Sequence, residues 1–307
     1  MARAAHAKVA NKKGKGAWTV VFVIAMIAFV LSVGALGAIA FSYFQGQQKY
    51  DSIAETANLD VNDVEGKQLD KLVVNWDELK RVNGDVVAWL FVPGTQINYP
   101  VVQGKDNDYY LTRDFSGDAG WLATYGTLFL DFRNTFNFQD DMNFIYGHNM
   151  RDGSMFASIA AMRDQESFDT SRTVYLLTPE RNYRLKSFAL VNCAGDDPIV
   201  RTTFADAQDR ADYFTDIVER SVVEVKDNVD PTSIQRGVAL STCDDTGAYR
   251  YLLFCRIEDE VASGLSGNVG VDEKDDSMGI VDDLGYTSDK YASRSSGADA
   301  SSSAAAA

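Results

Sequence analysis

A thiol, an imidazole and a guanidinium are the side chains of this sequence that could together perform covalent catalysis. Cys243 closes the run Val238-Ala239-Leu240-Ser241-Thr242, just ahead of the polar turn Asp244–Ala248. A reactive cysteine needs thiolate character and access, and a strand end beside polar residues offers both. Cys193 follows the apolar Phe188-Ala189-Leu190-Val191, and Cys255 stands among Leu253, Phe254 and Ile257. Both read as small core residues. A disulfide between them is an open alternative, and it would still leave Cys243 free. His148, in Tyr146-Gly147-His148-Asn149-Met150, is one of two histidines, with His6 near the N-terminus. It sits where an apolar run gives way to a polar loop, which suits a general acid/base aimed by a rigid element. A structural or merely exposed histidine is the competing reading. Arg250 opens the run Tyr249–Ile257. A tight turn after Cys243 would make the two runs neighbours and bring the guanidinium to the thiol, where it would stabilise a thiolate or an oxyanion. A surface ion pair with Asp244 or Asp245 is the alternative.

The elements that must position these groups are legible from periodicity. Short runs rich in β-branched and aromatic residues occur at 86–92, 96–102, 126–132, 143–146, 173–178, 182–193, 237–242 and 249–257. Gly94, Pro100, Gly104, Gly117, Gly120 and Asn182 punctuate them. Residues 45–82 read as helical, with Leu69, Leu72, Val73, Trp76 and Leu79 at spacings of three and four. Asn75 is placed to cap a short helix from Trp76 to Val82, with Glu78 at the capping-box position. One longer helix is expected over Ala205–Val223, where Ala207, Ala211, Phe214, Ile217 and Val218 share a face. Seven or eight short strands with few helices predict a mainly β barrel or sandwich with helical additions.

The ends of the chain differ from its middle. The formal net charge is −15, which disfavours nucleic acid, since phosphates require clustered Lys and Arg. No C-x-x-C and no histidine pair occur, so a Cys/His zinc site is not expected, and neither is a cofactor. Residues 1–16 form a basic leader. Residues 17–44 are 28 positions without a charge, more than the about 20 apolar residues that cross a bilayer as a helix. With Trp18 and Tyr43 at its ends, the stretch reads as a signal anchor with the N-terminus in the cytoplasm and the remainder exported. A cleaved signal peptide is the alternative, given Ala38-Ile39-Ala40, but the apolar run continues through Phe44. Residues 258–307 hold eleven acids against three bases and become Asp-, Gly-, Ser- and Ala-rich. That composition predicts a disordered acidic tail.

Several of these segments, taken together, resemble class B sortases. The resemblance runs from about Asn75 to Ile257. It rests on Asn83-Gly84-Asp85-Val86-Val87-Ala88-Trp89-Leu90, Gly94 through Gln103, Asp106-Asn107-Asp108-Tyr109-Tyr110-Leu111, Tyr146–Met150 with Gly153-Ser154-Met155-Phe156, and Leu240-Ser241-Thr242-Cys243. Arg250 opens a strand like the family's R-x-x-x-x-x-R-I. The resemblance implies a closed sortase-type β-barrel with N-terminal helices and one long helix between late strands, preceded by a single transmembrane helix. It divides the exported part into a helical segment, 45–82, and a catalytic domain, 83–257. It implies a cysteine transpeptidase of Gram-positive cell surfaces, with Cys243 as nucleophile, His148 as general acid/base and Arg250 stabilising substrate or oxyanion. Asn107, Leu111, Tyr146, Ser241 and Thr242 match positions lining the family's substrate groove. The implied partners are secreted proteins with a C-terminal sorting signal and an amine acceptor on a peptidoglycan precursor or a pilin Lys. The six residues between Cys243 and Arg250 leave little room for a long lid. A papain-like surface hydrolase is a rival, but its cysteine usually precedes its histidine and starts a helix. A catalytically inactive surface binding module is another, against which the intact Cys243, His148 and Arg250 argue.

Overall fold

The computed structural model describes residues 14–59, 61, 64, 68–119, 125–227, 229–243 and 248–264. The expected leader up to residue 13, the tail from 265 and the segment 244–247 lie outside the described residues. Eight strands close into a barrel: β1 (Val86–Phe91), β2 (Asn98–Val102), β3 (Leu128–Leu130), β4 (Met142–Tyr146), β5 (Thr173–Leu177), β6 (Arg181–Ala194), β7 (Gly237–Cys243) and β8 (Tyr249–Ala262). Their order around the barrel is β1-β2-β3-β4-β7-β8-β6-β5. Pairings β2–β3 and β4–β7 are parallel and the others antiparallel.

Alternation along the strands divides the core into two layers. Ile145, Leu190, Val238, Leu240 and Leu253 belong to the main cluster inside the barrel. Their neighbours Phe144, Ala189, Val191, Ala239 and Phe254 face outward and join Tyr213, Phe214 and Ile217. Those three come from helix α5 (Ala207–Glu219), which starts where Asp206 accepts hydrogen bonds from the backbone N–H of Gln208 and Asp209. It is shorter at both ends than the expected 205–223.

The N-terminal helix α1 (Gly14–Ala57) is 44 residues long, or about 66 Å at 1.5 Å per residue. Its first part, Trp18–Phe41, is exposed throughout and is apolar and long enough to cross a membrane. From Ser42 onward a stripe at spacings of three and four (Gly46, Tyr50, Ile53, Ala57) is buried against the barrel. The expectation that residues 45–82 are helical holds at their two ends, including the short helix expected over Trp76–Val82, and is corrected between them. The helix stops at Ala57, a single 3-10 turn spans Leu69–Lys71, and helix α2 takes Trp76–Val82 alone. Residues 72–75 lie outside any helix, and Asn182, buried in β6, donates to the carbonyls of Leu69 and Leu72 at 2.9 and 2.8 Å. A tertiary partner overrides the helical spacing. Asn75 does cap α2, accepting from the N–H of Glu78, whose carboxylate turns to Arg81 instead of closing the box.

Two helices of one turn or two follow the histidine loop: α3 (Ala157–Ala161) and α4 (Gln165–Thr170). Strand β8 runs five residues past the expected boundary at Ile257. Its acids are matched by bases across the sheet: Glu260 pairs with Arg181 at 2.8 Å and with Arg236, and Asp259 lies 3.4 Å from Arg184.

Candidate active site

Register alone assembles the three candidate groups. On antiparallel β7 and β8, Cys243 lies directly opposite Arg250. Their side chains share a face with Cα atoms about 5 Å apart. On parallel β4 and β7, Tyr146 is level with Ser241. Two residues on, His148 and Cys243 therefore occupy the next level of the same outward face. Gly147 holds that alignment past the strand end, its N–H donating to Ser241 O at 3.1 Å. The sheet thus sets His148, Cys243 and Arg250 in one row over neighbouring strands β4, β7 and β8.

A groove of about 210 Å³ opens at this row. Its floor includes Phe129, Tyr146 and Gly147, and one wall is formed by Asn107, Asp108 and Leu111. All eight residues expected from the sequence border it: Cys243, His148, Arg250, Asn107, Leu111, Tyr146, Ser241 and Thr242. Their accessibility differs. Cys243 is exposed and Leu111 is 40% exposed, whereas Ser241 and Thr242 are each only 2% exposed. The last two offer a bound peptide little beyond backbone.

His148 is held by its surroundings. Its Nε2 lies 2.6 Å from the carbonyl of Leu111. A carbonyl can only accept, so that nitrogen carries the hydrogen and Nδ1 is the basic atom of the neutral ring. Its own carbonyl accepts from Phe156 N–H at 2.9 Å. On the other side is Gly126, with φ +58°, where a Cβ would stand 2.8 Å from the imidazole Cδ2.

The remaining cysteines have different environments. Cys193 stands opposite Arg250 on its other flank, in β6, so Arg250 separates it from Cys243. Cys255 lies deeper along the β7–β8 pair, opposite Val238. Both are free thiols, so the alternative of a Cys193–Cys255 disulfide is not realised. Burial pushes both thiols above the ordinary cysteine range. Of the three thiols, only Cys243 is exposed. Asp244 and Asp245, the alternative partners for Arg250, lie outside the described residues.

One set of residues at the site went unread in the sequence. Asp131, just past β3, is fully buried. Its Oδ2 accepts from Arg133 Nη2 at 2.7 Å, Tyr146 OH at 2.8 Å and Asn107 Nδ2 at 3.1 Å. Burial alone would raise its pKa, but hydrogen bonds from the Arg133 side chain and N–H and from Tyr146 outweigh it and hold the carboxyl below its usual range. The signal available in the sequence was Asp131-Phe132-Arg133 at the end of an apolar run. An acid there is costly unless paired.

No family model matches the chain. Among curated proteins it is similar to sortase B of Listeria monocytogenes, 32% identical over 231 residues, covering 71% of this chain and 90% of that protein. It is 31% identical over 170 residues to sortase B of Staphylococcus aureus, covering 55% and 68%. Among solved structures, a Bacillus anthracis protein described as similar to sortase B superposes with a TM-score of 0.59 at 29% identity, over 70% of this chain and 96% of that one. A Staphylococcus aureus sortase B–substrate complex gives 0.61 at 25% identity, over 71% and 98%. Sequence and barrel agree, and the chain belongs to the class B sortases.

Proposed function

We propose that the chain is a membrane-anchored transpeptidase that cleaves a C-terminal sorting motif after Thr and joins the new carboxyl end to an amine. The observation that carries this reading is the row of His148, Cys243 and Arg250 along one groove. Cys243 Sγ attacks the Thr carbonyl carbon, forming a C–S bond. As the C–N bond breaks, the imidazolium of His148 gives its proton to the leaving amine. The thioester keeps the acyl group activated, so no further energy source is needed. An incoming amine then loses its proton to the imidazole, forms the new C–N bond and releases the thiolate. Arg250, a permanent cation opposite Cys243, stabilises the thiolate and the tetrahedral oxyanion. Asn107, Leu111 and Tyr146 hold the peptide in the groove.

The substrates on this reading are secreted proteins bearing a sorting signal. The acceptor is an amine of a peptidoglycan precursor or a pilin Lys, a chemistry consistent with a solved sortase B complexed with triglycine. The helix over 17–44 anchors the enzyme with its N-terminus in the cytoplasm, and residues 83–257 form the extracellular catalytic domain.

The full chain in detergent micelles, given a peptide library with Thr-Gly or Thr-Asn at the scissile position, is expected to show an acyl adduct on Cys243 by mass. Added triglycine should give ligated product. Cleavage by Cys243→Ala as fast as by the wild-type chain sinks the proposal, and cleavage without ligation makes the protein a hydrolase.

A further inference from the structure

The buried carboxylate of Asp131 joins the two sides of the groove. Tyr146 reaches it from the end of β4 and Asn107 from the loop between β2 and the Tyr109–Thr112 turn. Both residues line the groove. The second oxygen, Oδ1, accepts from the N–H and Nε of Arg133, each at 2.9 Å. That pair neutralises the charge and fixes the plane of the carboxylate. The main chain at Asp131 is pinned as well, its N–H donating to Phe144 O at 2.8 Å and its carbonyl accepting from Gln103 Nε2 at 3.0 Å.

The consequence falls on Asn107. Its Oδ1 accepts from Phe132 N–H at 3.0 Å, while its Nδ2 donates to Asp131. With one donor and one acceptor partner assigned, the amide has a single orientation. Its second Nδ2 hydrogen is then available to a peptide carbonyl lying in the groove. An uncharged amide in place of the carboxylate would point its own N–H toward N–H groups of Arg133 or Asn107, which can only donate. Asn107 could satisfy it only by turning its carbonyl toward Asp131's position, which breaks the Phe132 bond and reverses what the groove presents.

We propose that Asp131 is a positioning residue for substrate binding, fixing the Asn107 amide as a donor to the sorting peptide's backbone and locking it to Tyr146. This rests on the sortase reading above, with Asn107 as a groove residue, and it extends it to a group that never meets the substrate.

The test has one readout that needs no substrate. In the full chain labelled with 15N-asparagine, one Asn107 side-chain hydrogen is expected to exchange slowly and the other fast. Two fast hydrogens in the wild-type chain overturn the proposal, whatever the enzyme's activity. In Asp131→Asn the slow exchange is lost. KM for the Thr-Asn or Thr-Gly peptide rises about tenfold, with kcat within about twofold. The rate of Cys243 alkylation by iodoacetamide stays at the wild-type value. In an Asn107→Ala background the same substitution changes KM no further, because the group it positions is gone. An equal rise in both backgrounds, or a fall in kcat with unchanged KM, overturns the proposal. Should Asp131→Asn not fold, Tyr146→Phe removes one arm only, and its effect on KM must be non-additive with Asn107→Ala. A wild-type chain that leaves the peptides untouched but shows the asymmetric Asn107 exchange refutes the sortase reading while the positioning of Asn107 stands.

Discussion

At Gly126 the backbone needs the absence of a side chain for two reasons. Its φ of +58° is a region that L-residues rarely adopt. A methyl there would also stand 2.8 Å from His148 Cδ2 and 3.1 Å from Leu111 O. The imidazole is clamped between Gly126 and that same carbonyl, so Gly126→Ala displaces the ring from its Leu111 hydrogen bond. A loss of about 10- to 100-fold in kcat/KM is expected, since small misplacements of a catalytic group cost that much. Wild-type turnover by Gly126→Ala would show that the ring position does not limit the reaction. The thiols allow an independent check. At neutral pH iodoacetamide should add a single equivalent, on Cys243, because the other two are buried and held protonated. Labelling of Cys193 or Cys255 before unfolding would contradict their burial. Cys243, His148 and Arg250 were legible as single residues because each differs from its chain neighbours in chemistry. Asp131 was not, since its meaning lies in partners at positions 107 and 146, which no local pattern links to it.

Helix α1 shows how an element can be half legible. Its apolar run was plain and helix was expected after residue 45, but nothing in the sequence signals that the two are one helix through Ala57 that docks on the barrel. Polar and aromatic contacts beside the buried stripe help to dock it. Lys49 pairs with Asp114 at 2.6 Å, Tyr50 stands edge-on to Tyr99 at 5.4 Å, and Tyr125 donates to the carbonyl of Tyr43 at 2.9 Å. Gly46 permits the approach, since a Cβ there would overlap the Tyr125 ring. Gly46→Val is therefore expected to lift the helix off the barrel and cost about 1–3 kcal/mol by overpacking, read as a lower urea midpoint. Unchanged stability would mean that α1 docks without this contact. The strands were better read than the helices. Their β-branched and aromatic runs are legible because most strands are buried along nearly their whole length, and the errors fell at ends such as Glu258–Ala262. There the ordering comes from Arg181, Arg184 and Arg236, remote in sequence.

On the scale of the whole molecule, the barrel and its docked helices bury an unusual set of phenols. Tyr50, Tyr110, Tyr183 and Tyr213 are each at most 7% exposed. Burial is the largest cause raising the pKa of each above its ordinary value. Each is tied to a different part of the structure: Tyr50 to Gly126 O, Tyr110 to Asp85 at 2.8 Å, Tyr183 to Gln139 at 2.8 Å and Tyr213 to Ile199 O at 2.8 Å. In the unfolded chain these phenols ionise near pH 10, whereas in the folded chain they stay protonated above it. Their contribution to stability is therefore complete below about pH 10 and is lost as the pH rises through that value toward the folded-state pKa. Each such group costs about 1.4 kcal/mol per pH unit in that window, so four together remove about 5–6 kcal/mol per unit. That is comparable with the whole stability of an ordinary domain, about 5–15 kcal/mol. One cooperative transition between about pH 10 and 12 is expected, with tyrosinate absorbance rising in step with the loss of β-sheet circular dichroism. Tyr183→Phe, which deletes one ionising hydroxyl along with its bond to Gln139, should make the transition shallower. Phenols that titrate at pH 10 while the sheet signal persists would show that water reaches them in the folded barrel.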